Sequence, residues 1–288
     1  MKLPIIKSAI IAGGLALGAS SAYAGDALTV VSWGGAYTKS QIEAYHKPYT
    51  AKYGTKIQSE DYNGGLAEIR AQVEAGKITW DVVDLEVSDA ARGCDDGLFE
   101  KISAGSLPNG VNGALPSKDF IPGALQECAV GTIVWSTIYA YDADKYKSKK
   151  PTTISDFFDV KKFPGKRGMR KVPKVNLEWA LMADGVDGKD VYKVLATKAG
   201  QDRAFKKLDT IKNDVLWWEA GAQPPQLLAD GEVVMTSAYN GRIFNAAVTE
   251  KKNFEIVWDR QLFSFDLYAI IKGTPRLKEA LRYVQFST

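Results

Sequence analysis

Residues 28–37 read Leu28-Thr29-Val30-Val31-Ser32-Trp33-Gly34-Gly35-Ala36-Tyr37. An apolar run with strand composition breaks there into a glycine turn flanked by two aromatic rings. The next stretch, 38–53, has helical spacing with Ile42, Tyr45 and Tyr49 on one face. Pro48 is expected to kink it and Gly54 to end it. Residues 56–62 then read as a second strand, 66–75 as a helix, Trp80-Asp81-Val82-Val83-Asp84-Leu85 as a third strand and 87–98 as another helix. Such alternation means βαβ units, a mostly parallel sheet and helices on its faces. Ligands sit beyond the carboxyl ends of the strands in sheets of this kind, the position of both 33–37 and 85–88.

Toward the C-terminus, 128–141 is a β-rich run long enough to pass between two lobes. Alternation resumes beyond it, with strands at 166–169, 215–218, 233–239, 254–258 and 265–271 and helices between them. A last helical pattern, 275–286, still runs at Thr288 without a capping residue, so a chain cut short is the expectation. At the other end, Lys2 and Lys7 precede an apolar run over 8–20, and Ala22-Tyr23-Ala24 has the small-x-small form of a cleavage site. A signal peptide over 1–24 is expected. The alternative, a transmembrane anchor, needs an apolar stretch of about 20 residues. No cysteine stands beside the cut to carry a lipid. Export to an oxidising compartment makes a Cys94–Cys128 disulfide the expectation and two separate buried thiols the alternative.

The chain has 288 residues, 45% hydrophobic and 25% charged, a globular mixture with room for about two domains. Net charge is +3, and about +1 once Lys2 and Lys7 are removed, too balanced for a nucleic-acid binder. The single histidine, His46, excludes HExxH and Cys2His2 zinc sites, and no metal or cofactor is expected. A GxSxG elbow, a GxxxxGK[ST] loop and a GxGxxG fingerprint after a strand are all missing from the sequence. Catalysis then rests on an unrecognised carboxylate pair, the rival of a binding role.

The candidate site residues are aromatic rings with charged neighbours at strand ends: Trp33 and Tyr37, Trp217-Trp218-Glu219, and Tyr239-Asn240-Gly241-Arg242. Aromatic faces hold cations and apolar stems, while a carboxylate fixes an amine. The alternative for each ring is plain core packing. The basic run Lys161, Lys162, Lys166, Arg167, Arg170, Lys171, Lys174 is expected on a solvated surface.

Residues 28–37, 80–84, 227–235, 239–242 and 263–270 together resemble the bacterial periplasmic solute-binding proteins of ABC importers, in the putrescine/spermidine-binding branch. The resemblance spans the mature chain. It implies a type II-like fold of two α/β lobes, 25–135 plus 265–288 and 136–264, hinged on two crossover strands. It also implies a monomer in the periplasm that passes a small solute to a permease of the inner membrane and makes or breaks no bond. Trp33 and Tyr37 match the family's aromatic motif after the first strand, Glu178 its second-lobe acid, Asp266 the acid of its Phe/Trp-x-Asp strand, and Tyr239 stands where tryptophan is usual. Glu86, at the end of the third strand, joins the candidates. Two departures follow from the comparison: Gly34-Gly35 replaces a Ser-Asp pair, and Arg242 replaces an acid. An arginine favours a carboxylate over an amine. The expected ligand therefore has an amine end near Glu178 and Asp266 and a carboxylate end at Arg242. The alternative is an Arg242 that pairs with Glu178 or Asp266 and leaves a polyamine site intact.

Overall fold

The structure, a computed structural model, describes residues 27–288; the expected signal peptide lies outside the described residues. Strand β1, Ala27–Ser32, is followed by helices α1, Gly35–Gln41, and α2, Lys47–Tyr53, then by β2, Lys56–Asp61, helix α3, Ala67–Ala75, strand β3, Val82–Glu86, and helix α4, Val87–Asp95. β1 lies between β2 and β3 and runs parallel to both. Leu28, Val30 and Val31 are fully buried, as a parallel strand covered by helices on both faces requires. Where one kinked helix is expected, a π-type stretch, Ile42–His46, joins α1 to α2. Pro48, in the first turn of α2, has no N–H to close a regular turn.

The centre of the molecule is a pair of long antiparallel strands, β4, Ala129–Asp142, and β8, Phe254–Ile270. Between them in sequence lie β5, Arg167–Arg170, β6, Val215–Trp218, and β7, Met235–Tyr239, with β5 parallel to both β6 and β7. The strands order as β2-β1-β3-β8-β4-β7-β5-β6. β3 pairs with the carboxyl half of β8, and β7 with the carboxyl half of β4, so each long strand serves one lobe with each end. The sheet is mixed rather than mostly parallel, because both crossover strands run against their neighbours. β8 is also one strand where the sequence reads two. The polar triplet Asp259-Arg260-Gln261 that separates them is absorbed by a register shift against β4, with Arg260 at φ 55°.

Each half of the sheet has its own core. Val31, Leu85, Phe99 and Leu267 pack on one face of the first lobe and Leu28, Val30, Tyr268 and Tyr283 on the other; Tyr139, Phe157, Trp179 and Met235 centre the second lobe. Cys94 on α4 is disulfide-bonded to Cys128 at the entry to β4, with a Cα–Cα distance of 5.7 Å and a sequence separation of 34. On a chain-entropy account a loop of that length adds about 4 kcal/mol. His46 is buried against Tyr283, and burial holds its imidazole down to about 4, so it stays neutral. The basic run is not a solvated surface throughout. Arg167 is fully buried and donates to the carbonyl oxygens of Phe157, Gly165 and Phe163, while Arg170 and Lys174 turn into the groove between the lobes. No helix among the described residues is long and apolar enough to cross a membrane.

Candidate functional site

Strand ends from both lobes converge on that groove. Trp33 follows β1 and Tyr37 stands in the first turn of α1, β3 delivers Glu86, β5 delivers Arg170, β7 delivers Tyr239 and the helix Asn240–Val248 after it Arg242, and the crossover strands add Trp135 and Asp266. Two chambers result, of about 360 Å³ and about 320 Å³, which share Glu86, Trp135, Arg170 and Tyr239 as their common wall. Trp33, Tyr37, Arg242 and Asp266 line the first; Glu178, Lys174, Trp218 and Ser237 line the second. Volumes of this size suit small-molecule ligands.

The wall is aromatic and charged at once. The Arg170 guanidinium lies 5.9 Å from the Trp33 ring and 6.0 Å from the Tyr239 ring, with Trp135 edge-on to Tyr239 at 5.0 Å. Arg170 Nη1 donates to Glu86 Oε1 at 2.8 Å, and Lys174 Nζ donates to Glu86 Oε2 at 2.5 Å and to Ser88 Oγ at 2.7 Å. These contacts run from the second lobe to the first. Burial pushes the Glu86 carboxyl up, but Lys174 and Arg170 outweigh it and hold the group below the usual carboxylate range.

Arg242 makes the other cross-groove contact. Its Nη1 donates to the Gly34 carbonyl at 3.0 Å and its Nη2 to the Trp33 carbonyl at 2.9 Å. Glycine is required opposite it: Gly34 sits at φ 73°, and a Cβ on Gly35 (φ 60°) would stand 2.9 Å from Arg242 Nη1. The two departures from the resembling family are therefore one device. The alternative pairing of Arg242, with Glu178 or with Asp266, is not among its hydrogen bonds within the described residues; the guanidinium expected to meet a solute carboxylate is held by the backbone of Trp33 and Gly34.

Asp266 is 5% exposed and accepts from Trp135 Nε1 at 2.8 Å; among the described residues it has no ion-pair partner. Beneath it lies Asp84, fully buried and held by neutral donors: Tyr37 Oη at 2.7 Å, Gln41 Nε2 at 2.6 Å and Ser32 Oγ at 3.5 Å. Burial pushes both carboxyls up, and at Asp266 the Asp84 charge adds to the rise. Glu178 is raised by burial too.

Most of the expected residues do meet here, with corrections. Glu178 and Asp266 line different chambers, so one amine does not face both. Trp217 is 48% exposed and lines neither chamber, whereas Trp218 lines the second; neighbours on a strand face opposite ways. Asn240 lines the first chamber, but its Oδ1 accepts from the Ser136 backbone at 3.0 Å and ties the crossover strand to the second lobe. Gly34 gives its carbonyl to Arg242 and Gly35 leaves room for the guanidinium, and neither lines a chamber. Sequence reasoning missed Arg170, Trp135, Lys174 and Asp84. The signal for Arg170 was its place at the carboxyl end of β5, hidden by the basic run around it.

Comparison with known proteins gives the same architecture. The model of a family described as bacterial extracellular solute-binding protein matches residues 44–288. A gamma-aminobutyric acid-binding protein of Pseudomonas aeruginosa is 46% identical over 275 residues, 96% of this chain and 76% of that protein. Among solved structures, the periplasmic binding protein MotA from A. tumefaciens B6, in complex with glucopine, matches at TM-score 0.82 and 32% identity over 91% of this chain and 78% of its own. The Atu4243 GABA receptor matches at TM-score 0.75 and 32% identity over 91% and 77%. Two α/β lobes on paired crossover strands, aromatic rings where the strands end, and a family match over most of the length agree: the chain belongs to the bacterial extracellular solute-binding proteins.

Proposed function

We propose that the chain is the periplasmic solute-binding component of an ABC importer for a short zwitterion of the γ-aminobutyrate class. The ammonium end meets Asp266, the carboxylate end meets Arg170, and Trp33, Trp135 and Tyr239 enclose the methylene stem. The observation that carries this reading is the shared chamber: a guanidinium held between two rings and a carboxyl with no ion-pair partner among the described residues face one space. The names borne by the Pseudomonas relative and by the Atu4243 protein support it. Arg242, which lines the same chamber, adds positive charge there and disfavours a second amine. The hinge falls near 135/136 and 264/265, and the solute passes unchanged to a permease.

Calorimetry and thermal shift against γ-aminobutyrate, putrescine, spermidine, glutamate and butyrate test this. A ligand at about a thousand times its Kd stabilises the protein by about 4 kcal/mol, a rise of several degrees. γ-Aminobutyrate is expected to give it and the polyamines are not, and Arg170→Ala is expected to abolish the response. Stabilisation by putrescine or spermidine alone establishes the polyamine alternative instead. Turnover of a glycoside or ester with no ligand shift establishes the hydrolase.

A further inference from the structure

Asp84, Glu86, Asp266 and Tyr268 occupy one face of the β3–β8 ladder, because Asp84 pairs in register with Tyr268 and Glu86 with Asp266. Diagonal neighbours on such a ladder stand about 7–8 Å apart at the backbone, close enough for two buried charges to oppose each other strongly. Glu86 has its cations, Arg170 and Lys174. The other two acids have only neutral hydrogen-bond donors among the described residues: Tyr37, Gln41, Trp33 and Ser32 for Asp84, and Trp135 for Asp266.

Every element packed around the pair contributes to its balance. β1 gives Ser32, α1 gives Tyr37 and Gln41, the end of β2 gives Tyr62, and the helix Leu277–Ser287 gives Tyr283. β8 itself gives Tyr268, which receives a hydrogen bond from Gln41 Nε2 at 2.8 Å. On the groove side stand Tyr239 from β7, Arg170 from β5 and Arg242 from the helix Asn240–Val248. Burial keeps Tyr37, Tyr62, Tyr239, Tyr268 and Tyr283 in their neutral, donating form. Arg170 pulls Asp266 down, yet its own hydrogen bond goes to Glu86, and burial with the Asp84 charge prevails.

Resting on the zwitterion reading above, we propose that Asp84 and Asp266 share one proton in the empty site, and that the solute's ammonium binds at Asp266 by displacing it. The O–H bond of the carboxyl breaks, the proton goes to bulk water, and the ammonium replaces it as the positive partner of the pair. Asp84 touches no solute; it is a positioning residue that sets the charge of Asp266. Uptake of cargo is thereby tied to proton release, and an acidic medium weakens the hold on it.

The test is calorimetry with γ-aminobutyrate in buffers of different ionisation enthalpy, between about pH 5 and pH 8, where neither end of that probe titrates. His46, held down to about 4, does not titrate there either. The wild-type protein is expected to release about one proton per solute on the acid side of this window, and its affinity to rise by about tenfold per pH unit. Infrared spectra are expected to show a protonated-carboxyl band that disappears when γ-aminobutyrate is added. Asp84→Asn, which keeps an acceptor for Tyr37, is expected to bind γ-aminobutyrate with a flat profile, no proton release and no such band. Wild-type binding with no proton released, or with an unchanged band, overturns the exchange and leaves the zwitterion reading standing. An Asp84→Asn profile that superimposes on the wild type removes Asp84 from it. Absence of γ-aminobutyrate binding at every pH overturns the zwitterion reading, and the exchange with it.

Discussion

Arg242 Nη1 of the second lobe donates to the carbonyl oxygen of Gly34 in the first, at 3.0 Å and across 208 residues of sequence. With the Nη2 bond to Trp33 it joins the lobes through the protein's own backbone. A hydrogen bond to a charged donor contributes about 1.5–3 kcal/mol. Arg242→Ala is therefore expected to shift the unliganded protein toward an open form, with a larger radius of gyration in solution scattering. Because the latch favours the closed form, Kd for γ-aminobutyrate is expected to weaken by about tenfold or more. Loss confined to carboxylate-bearing solutes, with unchanged scattering, would show instead that Arg242 contacts cargo.

Gly35 shows the same latch from the other side. A methyl group there stands 2.9 Å from Arg242 Nη1, on backbone at φ 60°. Gly35→Ala is expected to cost about 1–3 kcal/mol, partly from the left-handed backbone and partly from the displaced guanidinium. The two parts separate in a double-mutant cycle. With Arg242→Ala in place, only the backbone part should remain, so the two substitutions combine less than additively in chemical denaturation. Strict additivity would mean that the methyl never disturbs the arginine.

How far the sequence reveals this site depends on what kind of signal each residue carries. Trp33, Tyr37 and Tyr239 are legible because a β-strand ending in a ring beside glycine is a local pattern, and the parallel-sheet rule turns that pattern into a place. Trp218 and Trp217 could have been separated by strand alternation alone. Arg170 is not legible in the same way, since six neighbouring lysines and arginines have the same composition and different fates: Arg167 is fully buried while Lys171 reaches only Glu219. The continuity of β8 is hidden by its polar triplet, which reads as a turn unless the partner strand is known. The Asp84–Asp266 pairing is a matter of register between segments 182 residues apart, and no local pattern encodes it.

Arg167 carries a stability prediction that has nothing to do with cargo. Its guanidinium is fully buried and ordered by carbonyl oxygens of the segment between Phe157 and Gly165, so the side chain organises that turn, beside a single donation from Tyr146 Oη to the Pro164 carbonyl. Removing it leaves those acceptors unsatisfied beside a cavity. Arg167→Ala is expected to lower stability by about 3–5 kcal/mol, visible as a reduced denaturation midpoint with an unchanged slope. Arg167→Lys should recover only part of this, because one ammonium cannot replace a planar fork across three carbonyls. A loss under about 1 kcal/mol would mean that water satisfies the turn equally well.

Asp84 gives a stability prediction whose sign differs from that of an ordinary surface aspartate. Its folded-state carboxyl is raised by burial, so the folded protein holds the proton more tightly than the unfolded chain does. Where the unfolded state binds fewer protons, stability falls as pH rises. The contribution is fully present below the unfolded value of about 3.9 and is lost as pH climbs through the raised folded value. Asp84→Asn never carries the charge. It is expected to raise the midpoint of thermal unfolding relative to wild type at pH 8, with the advantage shrinking steadily toward pH 4, while Tyr37 keeps an acceptor. The opposite trend, a variant that loses stability at alkaline pH, would mean that the ionised carboxylate is matched by a cation the buried pair does not otherwise have.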